Sequence, residues 1–360
     1  MFILLGITPD SKEKIMYNLK HLAGNVLLAL ILGTQAFAAN EVKPKPVNVD
    51  NFNRAESDLY FAKFVKDGSF GKFQHARELT PIDKQDVIRM NRDTLYSSVV
   101  VDLDAGPVTV TIPDTHGRFM SMQVINEDHY TTMVVYTPGA HTFTRKEIGT
   151  RYVLFLIRTF VNPDSKKDLA AVHALQDKLT VKQSKTGTFE IPAWDMASAK
   201  RVRDALNALS AANGGIDSSR MFGAKGKVDP VHHLMGTAAG WGGNPQYDAY
   251  YEGVVPAQNN GKVPYRLDVK NVPVSGFWSI SVYNKAGYFE KNPYGAYSFN
   301  SITAKPNKDG SFTIRFGDCG KNKVNCLPIT SGWNYLVRLY RPNKSILDGS
   351  WKFPQAEPTK

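Results

Sequence analysis

The 360-residue sequence is informative first for what it lacks. It has no Gly-x-Ser-x-Gly elbow, no His-Glu-x-x-His pair, no phosphate-binding loop, no dinucleotide fingerprint and no calcium loop. These absences argue against the commonest designs of hydrolases, kinases and dehydrogenases. They leave enzymes of other designs open.

Concentrated positive charge is also missing. The formal net charge is +11, but the lysines and arginines are spread along the chain and form no basic block. This pattern predicts solubility and attraction to anionic ligands or envelope surfaces, and it argues against a nucleic-acid partner. No cofactor is predicted, and no metal site is expected because neither a histidine nor a third cysteine lies near the two cysteines.

Long apolar runs are absent apart from one near the N-terminus. The run from Leu22 to Leu32 is about 11 residues, whereas a membrane-spanning helix needs roughly 20. It follows Lys20 and precedes Ala36-x-Ala38, the small-residue pattern of a signal-peptidase site. We therefore predict a signal peptide at residues 1–38 and a periplasmic or secreted mature chain without a transmembrane segment. The alternative is a membrane anchor.

Cysteine is scarce, and the only two cysteines stand close together. Cys319 and Cys326 both lie in the stretch GDCGKNKVNCLP. In an oxidising compartment, so close a pair is expected to form a disulfide across a loop. The chain-entropy model gives such a short loop roughly 2–3 kcal/mol of stabilisation. The alternative is two unpaired thiols.

The remaining chain alternates between strand-like and helix-like patterns. Residues 51–66 place Phe52, Ala55, Leu59, Ala62 and Val65 near helical spacing, which predicts an amphipathic helix with these residues on its buried face. Strand-like runs fill residues 97–160 and return after residue 262. Between them, Asp195 and Asp229-Pro230 are typical of helix starts.

These patterns predict an α+β fold that is predominantly β. We expect two antiparallel β-sandwich or jelly-roll-like domains joined by a helical segment. The predicted divisions after the signal peptide are an extended leader at 39–50, a β-rich domain at 51–163, a helical connector at 164–245 and a C-terminal β-sandwich at 246–360.

The stretch RMNRDTLYSS is the first candidate site. Arg89 and Arg92 flank one carboxylate, Asp93, just ahead of an apolar strand. If Asp93 pairs with one arginine, the other keeps a fork of donors suited to a carboxylate or phosphate. Tyr96 could supply a proton or a hydrogen bond. The alternative is an Arg–Asp corner that only ties the chain together.

Two further stretches carry candidate groups. Glu127-Asp128-His129-Tyr130 could form an acid–base cluster, although polar residues of this kind often just end a strand. Trp241 lies in the glycine-rich stretch GWGGNP, where its ring could stack on a sugar or an aromatic ligand. Packing in a turn is the alternative for Trp241.

Longer motifs resemble a known pair of bacterial domains of unknown function, numbers 1254 and 1214. The motifs similar to domain 1254 are NRDTLYS at 91–97, GPVTVTIPD at 106–114 and GRF at 117–119. The motifs similar to domain 1214 are GFWSISVYN at 276–284, DGSFTIRFG at 309–317, LPITSGWNYLVRLYRP at 327–342 and GSWKFP at 349–354. The resemblance implies two β-rich domains joined by helices, in exported proteins that self-associate. It implies no reaction.

The leading hypothesis is a protein that binds a small polar or anionic ligand between its β domains, with acid–base chemistry of a hydrolase or lyase type. The predicted catalytic residues are Tyr96, His129 and Asp93, and the predicted ligand-binding residues are Arg89, Asn91, Arg92 and Trp241. One alternative is a carbohydrate- or envelope-binding module without turnover, which would use Trp241. The other alternative is a structural envelope homo-oligomer.

Overall fold

The computed structural model describes residues 43–85, 88–320 and 323–359, so the predicted signal peptide lies outside the described residues. Within these ranges the chain forms sixteen strands and seven α-helices. The helices are α1 (Phe52–Lys66), α2 (Arg145–Ile148), α3 (Lys166–Asp177), α4 (Met196–Ala212), α5 (Ser218–Met221), α6 (Pro230–Gly240) and α7 (Lys344–Leu347). The first eight strands are β1 (Gln74–His75), β2 (Thr94–Asp102), β3 (Val108–Ile112), β4 (Met120–Asn126), β5 (Thr131–Val135), β6 (Gly139–Phe143), β7 (Tyr152–Phe160) and β8 (Thr180–Gln183). The others are β9 (Ala249–Val254), β10 (Tyr265–Val269), β11 (Trp278–Tyr283), β12 (Ser298–Asn300), β13 (Phe312–Phe316), β14 (Cys326–Leu327), β15 (Asn334–Tyr340) and β16 (Glu357–Pro358).

Two sheets form an N-terminal sandwich. One has the strand order β1-β2-β7-β4-β5, and the other has the order β6-β3-β8. In β3 the side chains of Val108, Val110 and Ile112 are buried while the two threonines between them are half-buried, as the twofold period of a strand requires. These apolar side chains pack in one core with residues of β2, β4 and β7.

A second sandwich occupies the C-terminal part. Its sheets have the orders β12-β11-β15-β9 and β14-β13-β10-β16. All of its strand pairs are antiparallel except β13 and β14. Trp333, Ile280, Leu267 and Phe316 are buried in the core between the two sheets. The predicted fold class, an α+β fold dominated by two β-sandwiches, is confirmed.

The helices α1, α4, α5 and α6 share a smaller core with Phe52, Trp194 and Met235. The predicted helix starts are confirmed, because Asp195 accepts a hydrogen bond from the first turn of α4 and Asp229 does the same for α6. None of the helices in the described part of the chain is long and apolar enough to cross a bilayer.

The predicted buried face of α1 is partly wrong. Phe52 and Ala55 are buried as expected, whereas Leu59, Ala62 and Val65 are only half-buried. The buried face instead carries polar residues, Glu56, Ser57 and Asp58. These polar groups can be buried because each has a hydrogen-bond partner outside the helix: Arg203 for Glu56, Trp241 for Ser57 and Trp194 for Asp58.

The predicted disulfide is confirmed. Cys319 and Cys326 are bonded, with their Cα atoms 5.7 Å apart. The bond closes the loop that leads from β13 into β14.

Candidate functional site

The segment from Arg89 to Tyr96 lies where the two sandwiches meet. Arg89 has a left-handed backbone with φ of 53°, which is uncommon for a residue other than glycine. Contacts from the C-terminal part fix this conformation. The Arg89 N–H donates to the Gly287 carbonyl at 2.8 Å, and Arg338 donates to the Arg89 carbonyl at 2.8 Å.

Asp93 points into this junction and is fully buried. One carboxylate oxygen accepts from Asn300 at 3.0 Å, while the other has no hydrogen-bond partner among the described residues. Burial raises the pKa of Asp93, although the charge of Arg338 partly opposes the rise. Asp93 therefore connects the two sandwiches. Among the charged residues, Arg338 has the largest effect on its pKa, and Arg92 has a smaller one.

Arg92 points the other way, into a cavity of about 480 Å³. One guanidinium nitrogen donates to the Thr80 carbonyl, and the group lies over the ring of Tyr297 at 5.4 Å. No carboxylate of the described residues forms an ion pair with Arg92. Burial lowers the pKa of Arg92, with partial opposition from Tyr297 and Asp164, but an arginine remains charged. Most of its donors therefore have no hydrogen-bond acceptor among the described residues.

The cavity is lined by both parts of the chain. Its apolar surface comes from both sides of the junction and includes Leu79, Ile82, Leu169 and Phe299. Two exposed carboxylates, Glu78 and Asp164, also line it. Its volume falls within the usual range of small-molecule sites, roughly 300–1,000 Å³.

Arg89 does not line this cavity. Its guanidinium donates to Asn334 at 2.8 Å and lies 5.9 Å from the centre of the Tyr283 ring. The two arginines of the motif are thus directed to different places, although the sequence hypothesis gave them one shared ligand.

Asn91 points into a third environment, of which Tyr96 is a part. We call this group the arginine–tyrosine cluster, and its members are Arg158, Tyr96, Tyr251 and Tyr340. Tyr96 on β2 is opposite Arg158 on β7, and the guanidinium lies 5.4 Å from the centre of the Tyr96 ring. Asn91 donates to the hydroxyls of Tyr96 at 3.3 Å and Tyr340 at 3.1 Å.

The tyrosines of this cluster differ in acidity, and the charge of Arg158 lowers the pKa of Tyr96. Burial on its own raises the pKa of Tyr96, but Arg158 and hydrogen bonds from Asn91 and Thr94 outweigh it and leave the pKa below the ordinary value. Burial raises the pKa of Tyr340 well above the ordinary value. Tyr96 is therefore the more acidic hydroxyl of the two, which suits the proton-handling role predicted for it.

His129 lies on the other side of the GWGGNP loop. Its Nε2 accepts from the Gly242 N–H at 2.8 Å, and its Nδ1 is 2.7 Å from the Thr237 hydroxyl. Because that hydroxyl donates to the His233 carbonyl, Nδ1 carries the proton. Burial, with help from His233, lowers the pKa of His129 well below the ordinary value. Both ring nitrogens are thus used within the protein.

Trp241 is packed against neighbouring rings. It stacks on Tyr60 with centroids 4.3 Å apart and on His129 at 5.4 Å. Its indole N–H donates to Ser57 at 3.1 Å. The structure therefore brings Trp241 and His129 together, and it places neither of them in the Arg92 cavity.

A pair of buried carboxyl groups was not predicted from the sequence. Asp58 of α1 and Glu127, which follows β4, are 1% and 5% exposed. Trp194 donates to Asp58 at 2.9 Å, and the Tyr152 N–H donates to Glu127 at 2.8 Å. Burial raises the pKa of both groups, that of Asp58 to about 7, and each carboxyl group acts on the pKa of the other.

Two buried arginines were also missed. Arg158 in YVLFLIRTF and Arg338 in NYLVRLY are the only charged residues of their strands, and they are 6% and 3% exposed. The sequence does contain a signal for them, which is a single charged residue inside an otherwise apolar strand. Because charged side chains are almost never buried without partners, such a residue indicates a polar cluster in the core.

Two family models match separate parts of the chain. Residues 70–147 match the family model described as a protein of unknown function, DUF1254, and residues 249–344 match the one described as DUF1214. The chain carries both domains of this pair. The predicted resemblance is confirmed, and the Arg92 cavity is lined by residues of both matched ranges.

A solved structure is similar in fold, and a second was compared with it. The VPA0106 protein from Vibrio parahaemolyticus superposes with a TM-score of 0.66 at 17% identity, over 87% of this chain and 100% of that chain. An uncharacterised protein from Burkholderia cenocepacia gives a TM-score of 0.47 at 13% identity, over 86% of this chain and 87% of that chain. No curated protein matches the sequence.

Proposed function

We propose that this protein binds a small organic anion in the Arg92 cavity, at the junction of its two β-sandwiches. The observation that carries the proposal is the guanidinium of Arg92. It lies in a cavity of about 480 Å³ with one hydrogen bond to a backbone carbonyl and no ion pair to a described carboxylate. An arginine fork in such a setting is suited to two parallel hydrogen bonds with a carboxylate.

The residues that line the cavity favour some kinds of anion over others. Leu79, Ile82 and Phe299 offer apolar contact, so a ligand with an apolar body gains from its burial. Glu78 and Asp164 place negative charge on the same cavity and repel an anion of high charge. A monocarboxylate with an aliphatic or aromatic body fits this arrangement better than citrate or phosphate.

The proposal concerns binding and does not include turnover. The groups predicted to transfer protons, Tyr96, His129 and Asp93, do not line the cavity. Their catalytic roles, and the alternatives of a glycan-binding module or a structural oligomer, stay predictions from the sequence.

Isothermal titration calorimetry with phenylacetate and hexanoate tests the proposal. The wild-type protein should bind both, and Arg92→Met should weaken binding by about tenfold or more, because a hydrogen bond to a charged group contributes roughly 1.5–3 kcal/mol. Hexanol, which has the apolar body without the charge, should bind weakly to both proteins.

Arg266→Met is the matched control. It removes an exposed arginine that pairs with Asp268 in the C-terminal sandwich, so net charge changes equally while the cavity is untouched. The control should bind phenylacetate as the wild type does. Equal affinities for the wild type and Arg92→Met, or citrate binding more tightly than phenylacetate, would contradict the proposal.

We also propose that the protein is exported. The disulfide between Cys319 and Cys326 supports this, since such bonds persist in oxidising compartments, as does the signal-like pattern before Ala38. Fractionation of cells that produce the full-length chain should recover a processed, oxidised protein outside the cytoplasm. Recovery of an unprocessed chain with free thiols from the cytoplasm would contradict it.

A further inference from the structure

Arg158 is a buried cation with no carboxylate partner among the residues that the structure describes. One guanidinium nitrogen donates to Gln123 at 2.6 Å and to Asn244 at 3.4 Å. The second donates to the Gly242 carbonyl at 3.3 Å. All three acceptors are neutral, so the positive charge itself is not balanced by these bonds. A buried charge without an opposite charge is costly.

The three tyrosines around Arg158 have hydroxyl protons to donate. Asn91 donates to the hydroxyls of Tyr96 and Tyr340, and Asn244 donates to that of Tyr251 at 2.8 Å. In each case the hydroxyl is the acceptor. Within the described ranges, none of the three hydroxyls donates a hydrogen bond to a protein atom, so each keeps a proton that it can donate to another acceptor.

A second buried arginine adds positive charge beside the cluster. Arg338 is buried beside the cluster, and its donors go to the Ser281 hydroxyl, the Tyr283 hydroxyl and two backbone carbonyls. Asp93 is the carboxylate whose charge acts on Arg338. The charge of Asp93 thus acts on Arg338 and Arg92, and Arg158 is not among the cations that it affects.

Solvent reaches the cluster. Arg158 keeps 6% of its surface exposed, and the side chains of Tyr96 and Tyr251 are half-buried. The Arg158 guanidinium also interacts with the Tyr96 hydroxyl. The cluster therefore holds a charged donor and hydroxyl donors together, with part of its surface open to solvent.

We infer that the arginine–tyrosine cluster is a second, internal binding site for a small carboxylate of the size of formate or acetate. Arg158 would supply the opposite charge, and the hydroxyls of Tyr96, Tyr251 and Tyr340 would donate to the carboxylate oxygens. The site is distinct from the Arg92 cavity, which none of these four residues lines. It can therefore exist whether or not the proposed function is correct.

Titration calorimetry with formate and acetate tests this site in the wild type, Tyr251→Phe, Tyr340→Phe and Arg158→Met. Each tyrosine variant removes one hydroxyl and keeps the ring, so the fold should survive, and each should bind about tenfold more weakly. Tyr265→Phe is the control, because Tyr265 is a buried tyrosine of the C-terminal core. It should leave formate binding unchanged.

Two results would overturn the inference. One is the absence of formate and acetate binding to the wild type, or binding that is unchanged in Tyr251→Phe and Tyr340→Phe. The other is a tyrosinate absorbance band at neutral pH that disappears in Tyr96→Phe. That band would show that Tyr96 itself provides the negative charge beside Arg158.

Discussion

The buried carboxyl pair of Asp58 and Glu127 should make the folded protein less stable as the pH rises. The pKa of Asp58 rises from 3.8 to about 7 because burial disfavours its charged form. The folded protein therefore holds this proton more tightly than the unfolded chain does. The stabilising contribution is fully present below pH 3.8 and is lost as the pH rises toward 7.

Asp58→Asn should remove this loss. An asparagine keeps an oxygen for the Trp194 N–H, and it is neutral at every pH, as the protonated carboxyl is. The rise in pKa corresponds to roughly 4 kcal/mol at about 1.4 kcal/mol per pH unit. The variant should thus be more stable than the wild type at pH 8, by up to roughly 4 kcal/mol, and similarly stable near pH 4.

Urea unfolding followed by tryptophan fluorescence between pH 4 and pH 8.5 measures this difference. Asp204→Asn is the control, because it removes an exposed carboxylate of α4 that pairs with Lys200. The difference in the free energy of unfolding between this variant and the wild type should stay nearly constant from pH 4 to pH 8.5. If the free energies of unfolding of Asp58→Asn and the wild type run parallel, or if the variant is less stable at pH 8, the assigned protonation is wrong.

Three further predictions concern other parts of the fold. Gly243→Ala should displace the GWGGNP loop, because an added Cβ would lie 2.5 Å from the Phe222 ring; a lowered melting temperature with altered tryptophan fluorescence would show this. Reduction of the disulfide between Cys319 and Cys326 should lower the free energy of unfolding by about 2–3 kcal/mol, measured by urea unfolding with and without reductant. Arg338→Met should destabilise by roughly 3–5 kcal/mol, because it leaves a buried carboxylate without compensation, and a loss below 1 kcal/mol would contradict that role.

The fold was predictable where local patterns decide it. In β3 the alternation of valine and isoleucine with threonine sets which face is buried. Asp195 and Asp229 mark helix starts through bonds to residues two or three positions away. Signals of this kind are complete within a short window of sequence, so the strands, the helices and the disulfide loop could be expected.

The directions of the site residues could not be predicted in the same way. Asn91, Arg92 and Asp93 are consecutive, yet they point to a tyrosine cluster, a cavity and a buried arginine. Their partners Tyr340, Tyr297 and Asn300 lie more than 200 residues away in the sequence, as in the bond from Asn300 to Asp93. No short-range pattern encodes such a separation.

The polar face of α1 shows the same limit. Apolar spacing predicted Leu59 on the buried side, but Asp58 is buried because Trp194 and Glu127 meet it there. From the sequence alone an aspartate is expected in solvent, and only its tertiary neighbours reveal that Asp58 is enclosed and that its pKa is raised.

A crystal structure of the protein with 4-bromophenylacetate would show directly whether an organic anion occupies the Arg92 cavity. We expect anomalous density for bromine among the apolar residues of the cavity, near Leu79 and Phe299, with the carboxylate within hydrogen-bond distance of the Arg92 guanidinium. Saturated crystals in which the cavity holds only solvent, or in which the carboxylate points away from Arg92, would contradict it.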